Sequence, residues 1–233
     1  RRGTRIMWAV YKKELKSYFL SPIGYVVIGI LLLVCSVFFY LTAVGSGSID
    51  LGGLYFYVAL YGLIITVPIL TMRMFAEERK NGTEQLILTS QVGIPGVVFG
   101  KFFAAMTVII IALLISFMYF GIMCYFGSPN ILVLLATMLG FLLISAAAIA
   151  VGMFASSITE NQIIAGIITI AFLIITLFTS DLDIGLPEVS IMSYYQKFPT
   201  GVISLTDVVG PLTLMAMFIA FTIIVMQRRK LVK

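Results

Sequence analysis

Five stretches of the chain run for the length of a bilayer without a charged residue: 17–49, 51–72, 102–159, 161–180 and 208–227. About 20 apolar residues cross the hydrocarbon core as a helix, so the third stretch is far too long for one crossing. Gly127-Ser128-Pro129-Asn130 divides it, with Ser128 suited to an N-cap and Pro129 to the first helical position. The pattern therefore predicts six helical spans, at 23–44, 55–73, 98–126, 131–155, 161–180 and 208–227. Thr159-Glu160-Asn161-Gln162 reads as a capping box that opens the fifth.

Three polar or mixed segments lie outside the spans. Over 4–20, helical spacing puts Met7, Trp8, Tyr11, Leu15, Tyr18 and Phe19 on one arc and Arg5, Lys12, Lys13 and Lys16 on the other. An apolar face with a tryptophan, bounded by lysines, predicts a helix lying in the headgroup layer, and the same lysines suit a topology anchor. Trp8, Lys12, Lys13 and Lys16 are its membrane-interface residues, and Ser21-Pro22 ends it. The segment 77–95 joins a dense polar turn to an apolar stretch too short to cross, and suits either a short helix offered to a soluble partner or a solvated loop. The stretch 181–207 is long for a connection and fairly apolar, but Pro187, Glu188, Lys197 and Pro199 deny it a seventh span. A pair of short helices dipping into the outer leaflet is expected there, shielded by protein.

Composition agrees with the pattern: hydrophobic residues make up 61% and charged residues 11%, against roughly 45–50% and about 25% in soluble domains. Charge placement sets the orientation. With the N-terminus in the cytoplasm, every one of the 15 lysines and arginines except Lys197 lies on the cytoplasmic side. Both ends are then cytoplasmic. Within the predicted spans the only ionisable groups are Arg73 and Lys101, near cytoplasmic ends. That argues against ion-coupled carriers, proton pumps and voltage sensors, which place ionisable groups at membrane depth. The chain has no histidine, and Cys35 and Cys124 stand alone in apolar runs, so no metal or redox site is expected. A P-loop is missing too: the glycine that should precede Gly100-Lys101 falls at Pro95, and Phe102 replaces Ser/Thr. Nothing in the pattern suggests a nucleic-acid partner, and the Gly96-x-x-x-Gly100 spacing reads as chance.

The amphipathic helix before span one, the six spans, the Gly-Thr-Glu segment after span two and the outer segment before span six together resemble the permease (membrane) subunit of ABC-2-type ATP-binding-cassette transporters. The most specific part is Glu78-Arg79-x-x-Gly82-Thr83-Glu84-x-Leu86. The run Lys12-Lys13-Glu14-Leu15-Lys16-Ser17-Tyr18-Phe19-Leu20-Ser21-Pro22-Ile23-Gly24-Tyr25 is similar to the gliding-motility-associated type. The resemblance implies an all-α integral membrane protein of the bacterial cytoplasmic membrane, forming one domain over 1–233. It implies a second six-span subunit and two ATPase subunits that carry ATP and Mg2+, with no cofactor or catalysis in this chain. It makes 77–95 the coupling segment: Glu77, Glu78 and Glu84 would pair with basic groups of the ATPase, Leu86, Ile87 and Leu88 would fill its groove, Gly82 would form the turn, and Arg79 and Thr83 belong to the same coupling set. Ser90 stands where many relatives have the proline that ends this segment, and Pro95 would serve instead.

A channel or membrane scaffold with a cytoplasmic partner is the competing class, and an ion-coupled carrier a distant third. The substrate is not legible in the scattered hydroxyls of the spans. Single cysteines at Gly3, Gln85 and Lys233 are expected to react with an impermeant maleimide only from the cytoplasmic side, and one at Glu188 only from outside. External labelling at Gln85 would overturn the six-span topology.

Overall fold

Long apolar runs have one low-cost solution in lipid, in which each backbone donor is bonded within its own helix. The computed structural model describes residues 2–45, 51–85, 93–178 and 192–232, and has no strand among them. Helix α1 spans Arg2–Leu20, and α2 spans Ile23–Phe39 and continues through a π turn, Tyr40–Val44. Helices α3 (Leu51–Tyr57) and α4 (Leu63–Thr71) are joined by a second π turn, Val58–Gly62. After a turn comes the short α5 (Ala76–Lys80), followed by α6 (Ile94–Phe126), α7 (Ile131–Ile158), α8 (Gln162–Phe178) and α9 (Leu205–Val232).

Five stretches are helical and apolar over a length that crosses a membrane: Ile23–Ala43, Leu51–Lys80, Ile94–Phe126, Ile131–Ile158 and Leu205–Leu231. Helix α8 is apolar but has 17 residues, about 25 Å at 1.5 Å per residue, short of the roughly 30 Å core. Its apolar run continues to 180, and residues 179 and 180 lie outside the described residues. Other predicted boundaries shift by a turn. The second span opens at Leu51 rather than 55, and the third at Ile94, with Pro95 in its first turn. Pro95 thus starts a helix instead of closing the coupling segment. The last span begins at Leu205, which brings Asp207 into a helical first turn, 5% exposed.

Two caps move as well. Asn130, not Ser128, caps α7: its Oδ1 accepts from the Leu132 amide at 3.0 Å. Asn161 opens α8 in the same way, accepting from the Ile163 amide at 2.9 Å, while Thr159 follows the end of α7. In both places the asparagine stands directly before the helix, where its short carbonyl reaches the second amide.

Helix α7 is the axis of the fold, in contact with α3, α4, α6, α8 and α9. Every residue from 144 to 153 is buried, and the run is dominated by small side chains that let backbones approach closely. A Cβ on Gly152 would run into the Thr71 side chain, and one on Gly140 into the rings of Phe198 and Tyr195. The Gly100 position is equally closed, by Val10 of α1, so this glycine lets α1 and α6 approach closely.

At the other end of the bundle, Tyr195 and Phe198 fill the space beside α3 and α7. The Tyr195 hydroxyl donates to the Thr137 carbonyl at 3.3 Å, and Thr137 Oγ1 donates to the Phe198 carbonyl at 3.3 Å. Burial pushes the Tyr195 pKa well up, which keeps the phenol a neutral donor. Residues 192–204, in the segment expected to dip into the outer leaflet as short helices, contain turns and one 3-10 turn, Phe198–Thr200, with no α-helix; 181–191 lie outside the described residues.

Gly152→Val is expected to lower the unfolding free energy of the purified chain by about 1–3 kcal/mol, as overpacked cores do. Gly29→Val, with nothing within 4 Å of its Cβ position, serves as the control and is expected to leave the melting temperature within a degree or two. Equal melting of the two variants would contradict the α4–α7 contact.

Candidate functional site

Charge collects at the end of the bundle where α1, α5, the start of α6, the α7–α8 corner and the end of α9 meet. Helical spacing places Met7, Tyr11, Glu14 and Tyr18 of α1 on one face. That face packs on neighbouring helices: Tyr11 bonds Thr107 Oγ1 of α6 at 3.0 Å, and the Tyr18 hydroxyl donates to the Leu70 carbonyl of α4 at 3.2 Å. Tyr18 is buried, which raises its pKa far above the ordinary phenol and keeps it a donor. The predicted apolar arc of α1 is therefore interrupted by a carboxylate.

Helix α4 ends at Thr71, and the break after it is held by a single hydroxyl. Ser156 Oγ accepts from the Phe75 and Ala76 amides at 3.1 and 3.2 Å and donates to the Met72 carbonyl at 3.2 Å. A buried helix end needs such partners. The turn redirects the chain into α5 and leaves the Met74 carbonyl facing Lys101 Nζ at 2.6 Å.

Two ion-pair nodes grow from this turn. In the first, Lys101 is 2% exposed, with Nζ 3.1 Å from Glu14 and 2.9 Å from Glu78, and 5.3 Å above the Phe75 ring. Lys13 lies 3.5 Å from Glu78 and 3.7 Å from Glu14, but its side chain is 67% exposed and contributes little. In the second node, Glu84 is 8% exposed and pairs with Arg229 of α9 at 3.3 Å and Arg79 at 3.9 Å. Arg79 also holds Glu160 at 2.8 Å and the Ile158 carbonyl at 3.1 Å. The short segment 76–85 is thereby fastened to α1, α6, α7, α9 and the α7–α8 corner.

Of the acidic residues expected to pair with the ATPase, Glu78 and Glu84 face inward and are engaged within the chain, by Lys101 and Arg229. Glu77 is half-buried and has no ion pair among the described residues. Gly82 adopts φ +70, a left-handed turn that favours glycine, and the Thr83 hydroxyl donates to the Glu78 carbonyl at 3.1 Å. The exposed edge is formed by Lys80, Asn81, Gly82, Thr83 and Gln85; Leu86, Ile87 and Leu88 lie outside the described residues. At the interface helix, Trp8 is exposed and stacked on Tyr11, with Lys12 Nζ 5.3 Å from its ring. Lys13 and Lys16 are exposed.

Glu14, Lys101, Ser156, Glu160 and Arg229 were not foreseen as parts of this site. For Lys101 a signal exists: it is the lone lysine inside an apolar span and has no acidic residue within a helical turn of it. No protein-family profile and no curated protein matches this chain.

Glu84→Lys is expected to destabilise the purified chain, and the charge swap Glu84→Lys with Arg229→Glu to restore part of the loss. Glu160→Lys, at a side chain 64% exposed, is expected to change stability by less than about 1 kcal/mol. Thermal unfolding in detergent checks all three. A Glu84→Lys melt like wild type would remove Glu84 from the fastening.

Proposed function

We propose that this chain is the membrane-spanning permease subunit of an ABC-2-type exporter, moved by separate ATPase subunits. The supporting observation is the fastening of segment 76–85: a small element outside the long apolar helices is tied to α6 and α9 by charge. A push on its exposed edge passes through Glu78–Lys101 to α6 and through Glu84–Arg229 to α9. The partner then meets Lys80, Asn81, Gly82, Thr83 and Gln85, followed by the apolar 86–88. The inward carboxylates give the segment its rigidity, and the partner finds a preformed surface.

In this reading α8 is the fifth of six crossings, completed by residues beyond 178, and both termini are cytoplasmic. The protein sits in a bacterial-type inner membrane, pairs with a second six-span subunit and works with two ATPase subunits that bind ATP and Mg2+. Its translocation surface offers hydroxyls and apolar side chains, which fits an amphipathic cargo.

The test is purification of the tagged chain from its native membrane. A nucleotide-binding subunit is expected to co-elute in fixed stoichiometry, with ATP hydrolysis by the complex and none by the chain alone. Asn81→Trp with Thr83→Trp is expected to release that subunit without lowering the melting temperature of the chain. Recovery of a monodisperse chain with no nucleotide-binding partner would favour the channel or scaffold class.

A further inference from the structure

A polar cavity of about 310 Å³ opens at the corner where α1 ends and α2 begins, bounded by Lys13, Ser17, Ser21, Arg73, Glu77 and Asn81 among others. Ile23, the first residue of α2, also lines it, so the cavity lies at the level where that helix enters the apolar layer. This is the depth of lipid headgroups.

The charges in its wall divide cleanly. Glu14 and Glu78 are both engaged by the buried Lys101, with the exposed Lys13 at their outer edge. What remains is one cation, Arg73, and one anion, Glu77. They stand four residues apart, yet neither has an ion pair to the other or to any other described residue. Arg73 Nε is in addition buried with no hydrogen-bond partner among the described residues, and a buried donor left unsatisfied is costly. The wall therefore presents a guanidinium and a carboxylate, with the hydroxyls of Ser17 and Ser21 and the Asn81 amide beside them.

We propose that this cavity binds a phosphoethanolamine group, with its phosphate on Arg73 and its ammonium on Glu77. Guanidinium recognises phosphate by paired, charge-assisted hydrogen bonds. A primary ammonium donates hydrogen bonds to a carboxylate, which a trimethylammonium lacks and a glycerol headgroup cannot replace by charge. The site thus selects for headgroup type, and it does so whether or not the chain has an ATPase partner.

The experiment uses the full chain, purified and delipidated in detergent, with native mass spectrometry and thermal unfolding as readouts. Mixed micelles carry dioleoyl phosphatidylethanolamine, phosphatidylcholine or phosphatidylglycerol. Phosphatidylethanolamine is expected to bind at least tenfold tighter than the other two. Glu77→Gln is expected to reduce it to the phosphatidylglycerol level, Arg73→Gln to weaken both, and Arg73→Lys to weaken both less than Arg73→Gln does. Melting of each variant without added lipid establishes that it is folded, and Glu77→Gln carries the test if Arg73→Gln is not. Water-soluble phosphoethanolamine separates the sources: failure to compete assigns the group to a lipid, and competition at equal concentration assigns it to a soluble phosphoamine. Equal binding of the three lipids, or an ethanolamine preference that survives both Glu77→Gln and Arg73→Gln, would overturn the proposal.

Discussion

A lysine with 2% of its surface exposed has to be answered by negative charge. Lys101 sits in the first turns of α6, where its cost would be several kcal/mol if it were unpaired. Two carboxylates from different elements, Glu14 of α1 and Glu78 of α5, and the Met74 carbonyl meet it. Because those groups come from three places in the chain, the requirement to surround one ammonium fixes three elements at once. The interface helix can lie only where Glu14 reaches Lys101, and α5 can turn only as the Ser156 hydroxyl and Lys101 together allow. Such a node need not add much net stability over an apolar substitute. Its contribution is definition of geometry, at an end of the molecule where apolar packing alone is permissive.

The rest of the bundle answers a different constraint. Lipid gives no hydrophobic reward for helix association, so contact depends on small residues, close approach and interhelical hydrogen bonds. Helix α7 supplies the small residues, and hydroxyls supply the bonds. Tyr55 meets Ser116 at 2.9 Å and Ser36 meets Tyr119 at 2.6 Å across helix–helix contacts. One end of the molecule is therefore specified by charge and the other by aromatic packing of Tyr195 and Phe198. The segment 76–85 is tied into the charged end and so to α6 and α9.

Much of this was legible from residues. Uninterrupted apolar runs located the helices, since charge is what a span excludes, and Ser21-Pro22 marked the corner between α1 and α2. Starts were legible to about one turn: Asn130 and Asn161 capture the caps from Ser128 and Thr159 because they stand next to the helix. The site was legible in position and only partly in role. The Gly82 turn could be anticipated from glycine's backbone freedom. The inward facing of Glu78 and Glu84 could not, because their partners Lys101 and Arg229 are remote in sequence and brought near only by the fold. Glu14 was obscured by its neighbours, since a helix with several lysines reads as a positive surface until its inner face is known.

Lys101 couples α1 and α5 to α6. A double-mutant cycle measures it directly, with Lys101→Met combined in turn with Glu14→Leu and Glu78→Leu, and unfolding followed by steric trapping in bicelles. The account predicts that each double variant is more stable than the sum of its single losses, by more than about 1 kcal/mol, because the partner charge is no longer left buried and alone. Losses that add to within about 0.5 kcal/mol, as they do for independent sites, would contradict it.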